Sequence, residues 1–197
     1  MPRAKASKPA AKKAKKSIVA KKAAVTRKPA PKSPPAKTGS VKTPTATSSR
    51  HFGLIAADTI DVQHAHAGET IRMDLNVKSP ETLVQSEVDA VDRVVDELER
   101  HDASARAAFV ALLNDSTDEV QQFWQFHHDE VEEHAGLQLD AFVPALQLVR
   151  VGFYPDGAFG ASSFFVLDYA LRGPSTDQLL VAKFGRDGSL LTIAWES

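Results

Sequence analysis

No cysteine occurs anywhere in the chain, which excludes disulfides, a thiolate nucleophile and any cysteine-ligated metal. Long apolar runs are missing too. Nothing approaches the roughly 18 residues that a membrane helix needs, and near the N-terminus the longest apolar piece, Ile18-Val19-Ala20, is too short for a signal-peptide core. Only Arg3 and Arg27 precede Arg50, which argues against an arginine-rich transit peptide. The first 50 residues contain no Asp or Glu and no Phe, Tyr, Trp or Leu. No P-loop, GxGxxG, HExxH or nucleophile elbow is present, so the common phosphate, zinc and acyl-transfer signatures are all absent.

What is present divides into two regions of opposite charge. Residues 1–50 hold 15 of the 24 Lys and Arg, leaving 9 basic residues against all 25 acidic ones in residues 51–197. The near-neutral total is therefore the sum of about +15 and −16, and the asymmetry is the informative quantity. Residues 1–50 are almost wholly Ala, Lys, Pro, Ser, Thr and Val. Without large apolar groups they cannot offset an ordering entropy of roughly 1–2 kcal/mol per residue, and a disordered basic tail is expected. Residues 51–197 have the size of one domain with its own core.

Within that domain the strongest signal is at the end. Runs at Gln147–Pro155, Ser163–Arg172, Gln178–Phe184 and Leu190–Glu196 are rich in Val, Phe, Leu, Ile or Tyr and are bounded by turn residues, which predicts a four-stranded antiparallel block. Earlier, Ile71, Met73, Leu75 and Val77 alternate with Arg72, Asp74, Asn76 and Lys78, which predicts a strand over Glu69–Lys78. Phe52–Ile60 reads as a short, ambiguous apolar run and Asp61–Gly68 as a polar loop. Ser79 and Pro80 look like the start of a helix carrying Val84, Val88, Val91, Val95 and Leu98 on one stripe. Asp102 is expected to cap a second, shorter helix. Ser116 and Glu119 have capping-box spacing for a third, which places Val120, Phe123, Trp124, His127, Val131 and His134 on one side and stops at Gly136. Ion pairs are expected at Asp89–Arg93 and Asp96–Arg100. Strands, then helices, then strands give an α+β fold: a mostly antiparallel sheet with about three helices on one face.

Candidate sites follow from residue type and spacing. Lysines in Ala/Pro context form a polycation that binds phosphates by counterion release. Lys12, Lys13, Lys15, Lys16, Lys21, Lys22, Arg27 and Lys28 are its central charges. Without aromatics for base stacking, such binding is expected to be independent of sequence. His64 and His66 share a side if extended, and His127 and His134 share a helix face with Glu130, so two pairs could supply metal ligands. A loop pair and two core-edge histidines are the plainer reading, and no metal or other cofactor is assigned. His127-His128-Asp129-Glu130 with Glu132-Glu133 reads as a solvated acidic face before it reads as acid/base machinery. Asp168 interrupts an apolar strand and is expected to face solvent, where Arg150 and Arg172 on neighbouring strands can pair with it.

The pieces Lys8-Pro9-Ala10-Ala11-Lys12-Lys13 and Lys28-Pro29-Ala30-Pro31-Lys32-Ser33-Pro34 resemble linker-histone tails and lysine/alanine-rich histone-like proteins of bacteria. Phe164–Tyr169, Asp177–Val181, Asp187-Gly188-Ser189 and Trp195-Glu196-Ser197 resemble an uncharacterised conserved bacterial α+β domain of the immunity-protein-like kind. That resemblance implies a binding role and supplies no catalytic residues. The expectation is a non-enzymatic protein, cytoplasmic and nucleoid-associated, with no membrane attachment. Its basic arm binds nucleic acid and its acidic domain binds a protein partner. An immunity-type inhibitor that covers a bacterial toxin is the alternative, and a hydrolytic or metal-dependent enzyme the third.

Overall fold

The computed structural model describes residues 47–173 and 176–197. The expected disordered tail, with Lys12, Lys13, Lys15, Lys16, Lys21, Lys22, Arg27 and Lys28, lies outside the described residues. Inside them the protein is α+β. A two-residue pair, β1 (Ser48–Ser49) with β2 (Gly53–Leu54), precedes the hairpin β3 (Thr59–His66) and β4 (Glu69–Asn76). Four helices follow: α1 (Gln85–Asp96), α2 (Leu98–Leu112), α3 (Glu119–Glu130) and α4 (Leu139–Ala145). The chain ends in the strands β5 (Leu146–Phe153), β6 (Phe165–Leu171), β7 (Leu179–Phe184) and β8 (Leu190–Glu196). No helix of the described residues is long and apolar enough to cross a membrane.

The main sheet has six strands in the order β3-β4-β5-β6-β7-β8. Every pairing is antiparallel except β4 with β5, where the helical crossover forces a parallel pair. The four terminal strands form the meander expected from their turn residues. Alternate strand residues, among them Ile71, Met73, Leu75, Val151, Phe153, Phe165, Leu167, Tyr169, Leu180 and Phe184, are fully buried and share one core with Val88, Val91, Phe109, Phe123 and Phe142 of the helices. Phe165 and Phe184 stack with centroids 4.7 Å apart, and Phe109 meets Tyr169 edge-on at 5.1 Å. Burying aromatic faces of this size dominates the core energetics.

Several expected boundaries move, each for a local reason. Asp61–Gly68 is no loop but mostly strand. Ile60, Val62, His64 and His66 take the inward positions of β3, and imidazoles in two of those slots hide the apolar alternation. Ala67 and Gly68, both at positive φ, make the tight turn. Ser79 and Pro80 belong to a turn, with Thr82 N bonded to Ser79 O, and α1 starts at Gln85 after an extended Val84 that is left exposed. Asp102 caps nothing, since α2 already begins at Leu98. Asp118, whose side chain accepts from Val120 N, is the cap of α3 in place of Ser116. α3 stops at Glu130, and His134 falls in a separate 3-10 turn, Glu132–His134. Asp96 pairs with Arg50 and His51, and Arg100 with Glu97, rather than with each other. Asp89 takes Gln85 as its partner, not Arg93.

The folded part also starts earlier than composition suggests. Thr47 Oγ1 donates to Leu83 O (3.0 Å), and Ser49 Oγ donates to Asp92 Oδ1 (2.6 Å) while accepting from His51 N and Phe52 N. Asp92 is buried inside α1, so Ser49 and Arg50 are what make its burial tolerable. Deleting residues 1–46 is expected to leave the unfolding temperature within about a degree or two. Ser49→Ala strips a buried carboxylate of a donor and is expected to cost about 1–3 kcal/mol in urea unfolding. A silent Ser49→Ala would show that the N-terminal hook contributes nothing.

Candidate functional site

The face of the sheet away from the shared core carries a network of charged side chains. Its centre is Arg150, and a bulge in β5 places it there. By strict alternation Arg150 would follow Leu146 and Leu148 into the core. The register shift between Leu148 and Arg150 inserts one residue and turns Arg150 to the opposite face, with Val151 and Phe153 inward. Its register partner on β6 is Asp168. Asp74 lies one step further, opposite Gly152 on the parallel strand β4.

Arg150 reaches both carboxylates. Nε donates to Asp74 Oδ1 (2.5 Å), Nη2 to Asp74 Oδ2 (2.7 Å) and to Tyr154 OH (2.8 Å), and Nη1 to Asp168 Oδ2 (2.7 Å). Four of a guanidinium's five N–H groups are thereby committed. The reach depends on Gly152, because a Cβ there would lie 2.6 Å from Nη2 and 2.9 Å from Cζ. Asn76 Nδ2 also donates to Asp74 Oδ2, at 2.5 Å. Burial acts to lower the Arg150 guanidinium, but the bonds to Asp74, Tyr154 and Asp168 outweigh it and hold the group above its ordinary value. Asp168 goes the other way. Burial pushes its carboxyl up, and Arg150 offsets only part of that. The expectation that Asp168 faces solvent is thus corrected: it lies on the outer face but is only 4% exposed, beneath Arg150. Arg172 is not a partner either, reaching Glu69 instead.

Beside this network lies a pocket of about 340 Å³ lined by Arg150, Tyr154, Phe159, Asp168, Lys183 and Glu196, among others. A volume of this size suits a small ligand or one protruding side chain. Lys183 Nζ sits 2.6 Å from Glu196 Oε1. Asp168 Oδ1 is buried with no hydrogen-bond partner. The connection from β5 to β6 forms one wall, and there Phe159 adopts φ 55° and ψ 16° while remaining 82% exposed. A bulky residue in the left-handed region costs on the order of 1 kcal/mol or more, and an exposed ring returns no burial to offset it.

The histidine pairs go to separate places. His66 Nε2 lies 3.1 Å from Asp102 Oδ2, and Asp102 also takes Arg106 Nε and Tyr169 OH, so this carboxylate ties β3, α2 and β6 together. His64 rests edge-on against His51. His127 Nδ1 donates to Phe123 O, its Nε2 lies 3.1 Å from Thr176 Oγ1, and its ring centroid is 5.7 Å from that of His134. Among the described residues, no group of three His, Asp or Glu is disposed to hold a metal ion. His128 Nδ1 lies 2.7 Å from Asp129 Oδ1, and its ring lies against Trp124.

Sequence reasoning found the Arg150–Asp168 pair but missed Asp74, Tyr154, Lys183, Glu196 and Phe159. Gly152 within a strand was the available signal, since a strand glycine often marks the close approach of another group. Comparisons with protein families, with curated proteins and with solved structures gave no match.

Two tests address this geometry. Gly152→Ala displaces a pinned guanidinium and is expected to cost on the order of 2–3 kcal/mol, somewhat less than outright removal of a partner from a buried pair. An unchanged urea midpoint would show that the network is not coupled to the fold. The second concerns pH. Burial holds the imidazoles of His101 and His127 below the ordinary histidine value; Arg100 adds to the first effect, and for the second the Phe123 carbonyl opposes it while His134 adds to it. Both stay neutral in the fold where an unfolded imidazole would take a proton. The stability they lend is full above 6.5 and is lost as pH falls through 6.5 towards their depressed values. Urea unfolding should weaken from pH 7.5 to about 5.5, and a His101→Gln/His127→Gln double variant should flatten that slope. An equal slope in the double variant would assign the effect elsewhere.

Proposed function

We propose that the chain is a two-part binding protein, with a lysine-rich arm that binds nucleic acid without sequence preference and an acidic α+β domain that binds a basic protein partner. One observation carries this reading: 15 basic and no acidic residues in positions 1–50, against 9 basic and 25 acidic in positions 51–197. Charge separated this completely attracts polyanions to one part and polycations to the other. A nucleoid-associated location in the cytoplasm fits the arm. For the domain, Asp129 and Glu130 at the end of α3 and Glu132 and Glu133 in the 3-10 turn after it are all exposed. Glu130, the last residue of α3, opposes the helix dipole, and a cationic partner would relieve that. The same acidic surface favours a second reading, an immunity-type domain that covers a basic toxin.

Salt dependence tests the arm. If its cations neutralise Z phosphates, log affinity falls against log salt with a slope near −0.9Z on duplex DNA, and engagement of about 6 to 10 phosphates predicts a loss on the order of a thousandfold or more between 50 and 200 mM. Lys12, Lys13, Lys15 and Lys16 replaced together by Gln should lower the slope by up to about four units. Scrambled and AT-rich duplexes should bind within a few-fold of each other. Binding that ignores salt, or that strongly prefers one sequence, would place recognition in the folded domain.

A further inference from the structure

We propose that the pocket on the outer face of β5, β6, β7 and β8 receives a cationic side chain, the guanidinium or ammonium of a basic protein partner, which lies against the Phe159 ring and pairs with the carboxylates of Asp168 and Glu196. The inference rests on the reading of the acidic domain as a partner-binding module, and it names the point of contact.

Charge selects a cation. The charged lining of the pocket is Asp168 and Glu196 with Arg150 and Lys183, while Asp74 lies beneath Arg150 and is also approached by Arg72. The two cations are already engaged, Arg150 through four donated hydrogen bonds and Lys183 with Glu196. An arriving anion would therefore meet two carboxylates and two cations whose donors are mostly committed. An arriving cation finds Asp168 Oδ1, which is buried and has no partner, and the outer part of Glu196, whose side chain is half exposed. Residues 51–197 as a whole carry 25 acidic against 9 basic residues, so long-range attraction favours the same ligand as the unpartnered oxygen does.

The wall supplies the second observation. Phe159 lines the same pocket, exposed and held at φ 55° between Gly157 and Gly160, both also at positive φ. A glycine would relieve that backbone, and the ring packs nothing in the core, so the fold gains nothing from phenylalanine at this position. A cation is the group that gains from an aromatic face presented in this way. The pocket's roughly 340 Å³ admits one long side chain. Strand alternation supports its floor, because Val166, Asp168, Val181 and Lys183 all project to this face while Leu167, Tyr169, Leu180 and Ala182 hold the core.

The test uses the full-length protein at 150 mM salt with a fluorescent octa-arginine peptide as probe, read by anisotropy, and with N-acetyl-arginine methylamide as competitor. Phe159→Leu keeps an apolar side chain without the aromatic face and should weaken the peptide about fivefold. Phe159→Gly should weaken it at least as much, while the unfolding temperature holds or rises because the strained backbone is relieved. Glu196→Gln should weaken it about threefold or more, whereas Glu132→Gln with Glu133→Gln, away from the pocket, should change it less than about twofold. Equal affinity across the Phe159 and Glu196 variants, with the peptide still bound, would overturn the pocket and leave the acidic-surface reading standing. A wild-type protein that ignores the peptide would overturn both. If the single arginine derivative bound as tightly as the octapeptide, the ligand would be a small free cation, and assignment to a protein partner would fall.

Discussion

The clamp of Arg150 on Asp74 and Asp168 is the interaction on which the sheet depends. The hairpin β3–β4 and the meander β5–β8 are separated in sequence by α1–α4, and among the described strands the parallel β4–β5 pair is what joins them into one sheet. Parallel pairs are somewhat less stable per residue than antiparallel ones. On the core side, Met73, Leu75, Val151 and Phe153 secure that seam by burial. On the outer face the guanidinium does so by bonding across it, forked on Asp74 of β4 and singly on Asp168 of β6. A buried ion pair is weak evidence of net stability, since dehydrating the charges offsets much of their attraction. Its better-attested role is specification. A slip of one residue along β4 would carry Asp74 into the core and leave Arg150 uncompensated.

That clamp also shows where sequence reasoning ran out. The four terminal strands were legible to within about two residues, because β-branched and aromatic runs bounded by Gly, Pro and Asp leave few alternatives. The alternation of β4 was legible as well, and it placed Asp74 on the outer face. What it could not convey is that the outer face is partly buried: Asp74 and Asp168 are covered by an arginine whose position depends on a bulge, and bulges have no reliable local signature. The strand β3 was lost because histidines fill two of its inward positions. Helix starts were misplaced where Ser79-Pro80 and Ser116 offered good capping chemistry that tertiary contacts overrode. Of the candidate site, one pair was foreseen. The pocket was not, because its members come from separate strands and one connection.

Polar groups inside the core follow a different economy. Asp102 receives His66, Arg106 and Tyr169, and Arg106 Nη1 further donates to Val143 O and Leu146 O. Asp92 is met by Ser49 and Arg50. Each buried carboxylate there is satisfied on both oxygens and joins distant segments, as expected of groups retained for specificity. Asp168 differs, with one oxygen bonded and one not, a state it shares with Glu87, whose Oε1 takes Arg186. Of the two half-satisfied carboxylates, Asp168 is the one that lines the pocket of the outer face.

The departures from local rules fall in two places. One is the C-terminal end of α3, where carboxylates gather at the negative end of a helix dipole. The other is the outer face, where a phenylalanine occupies left-handed backbone in full exposure next to the half-satisfied Asp168. Sequences that specify a fold keep propensity, charge and burial in agreement, and they depart from that agreement mainly where a function requires it. Both departures involve carboxylates, exposed ones beside α3 and a half-satisfied one in the pocket, and the pocket adds an aromatic face. A non-specific acidic surface would explain the first without the second. The two together are what the proposed reading requires, a domain that would attract cationic partners broadly and hold one of their side chains at a defined place.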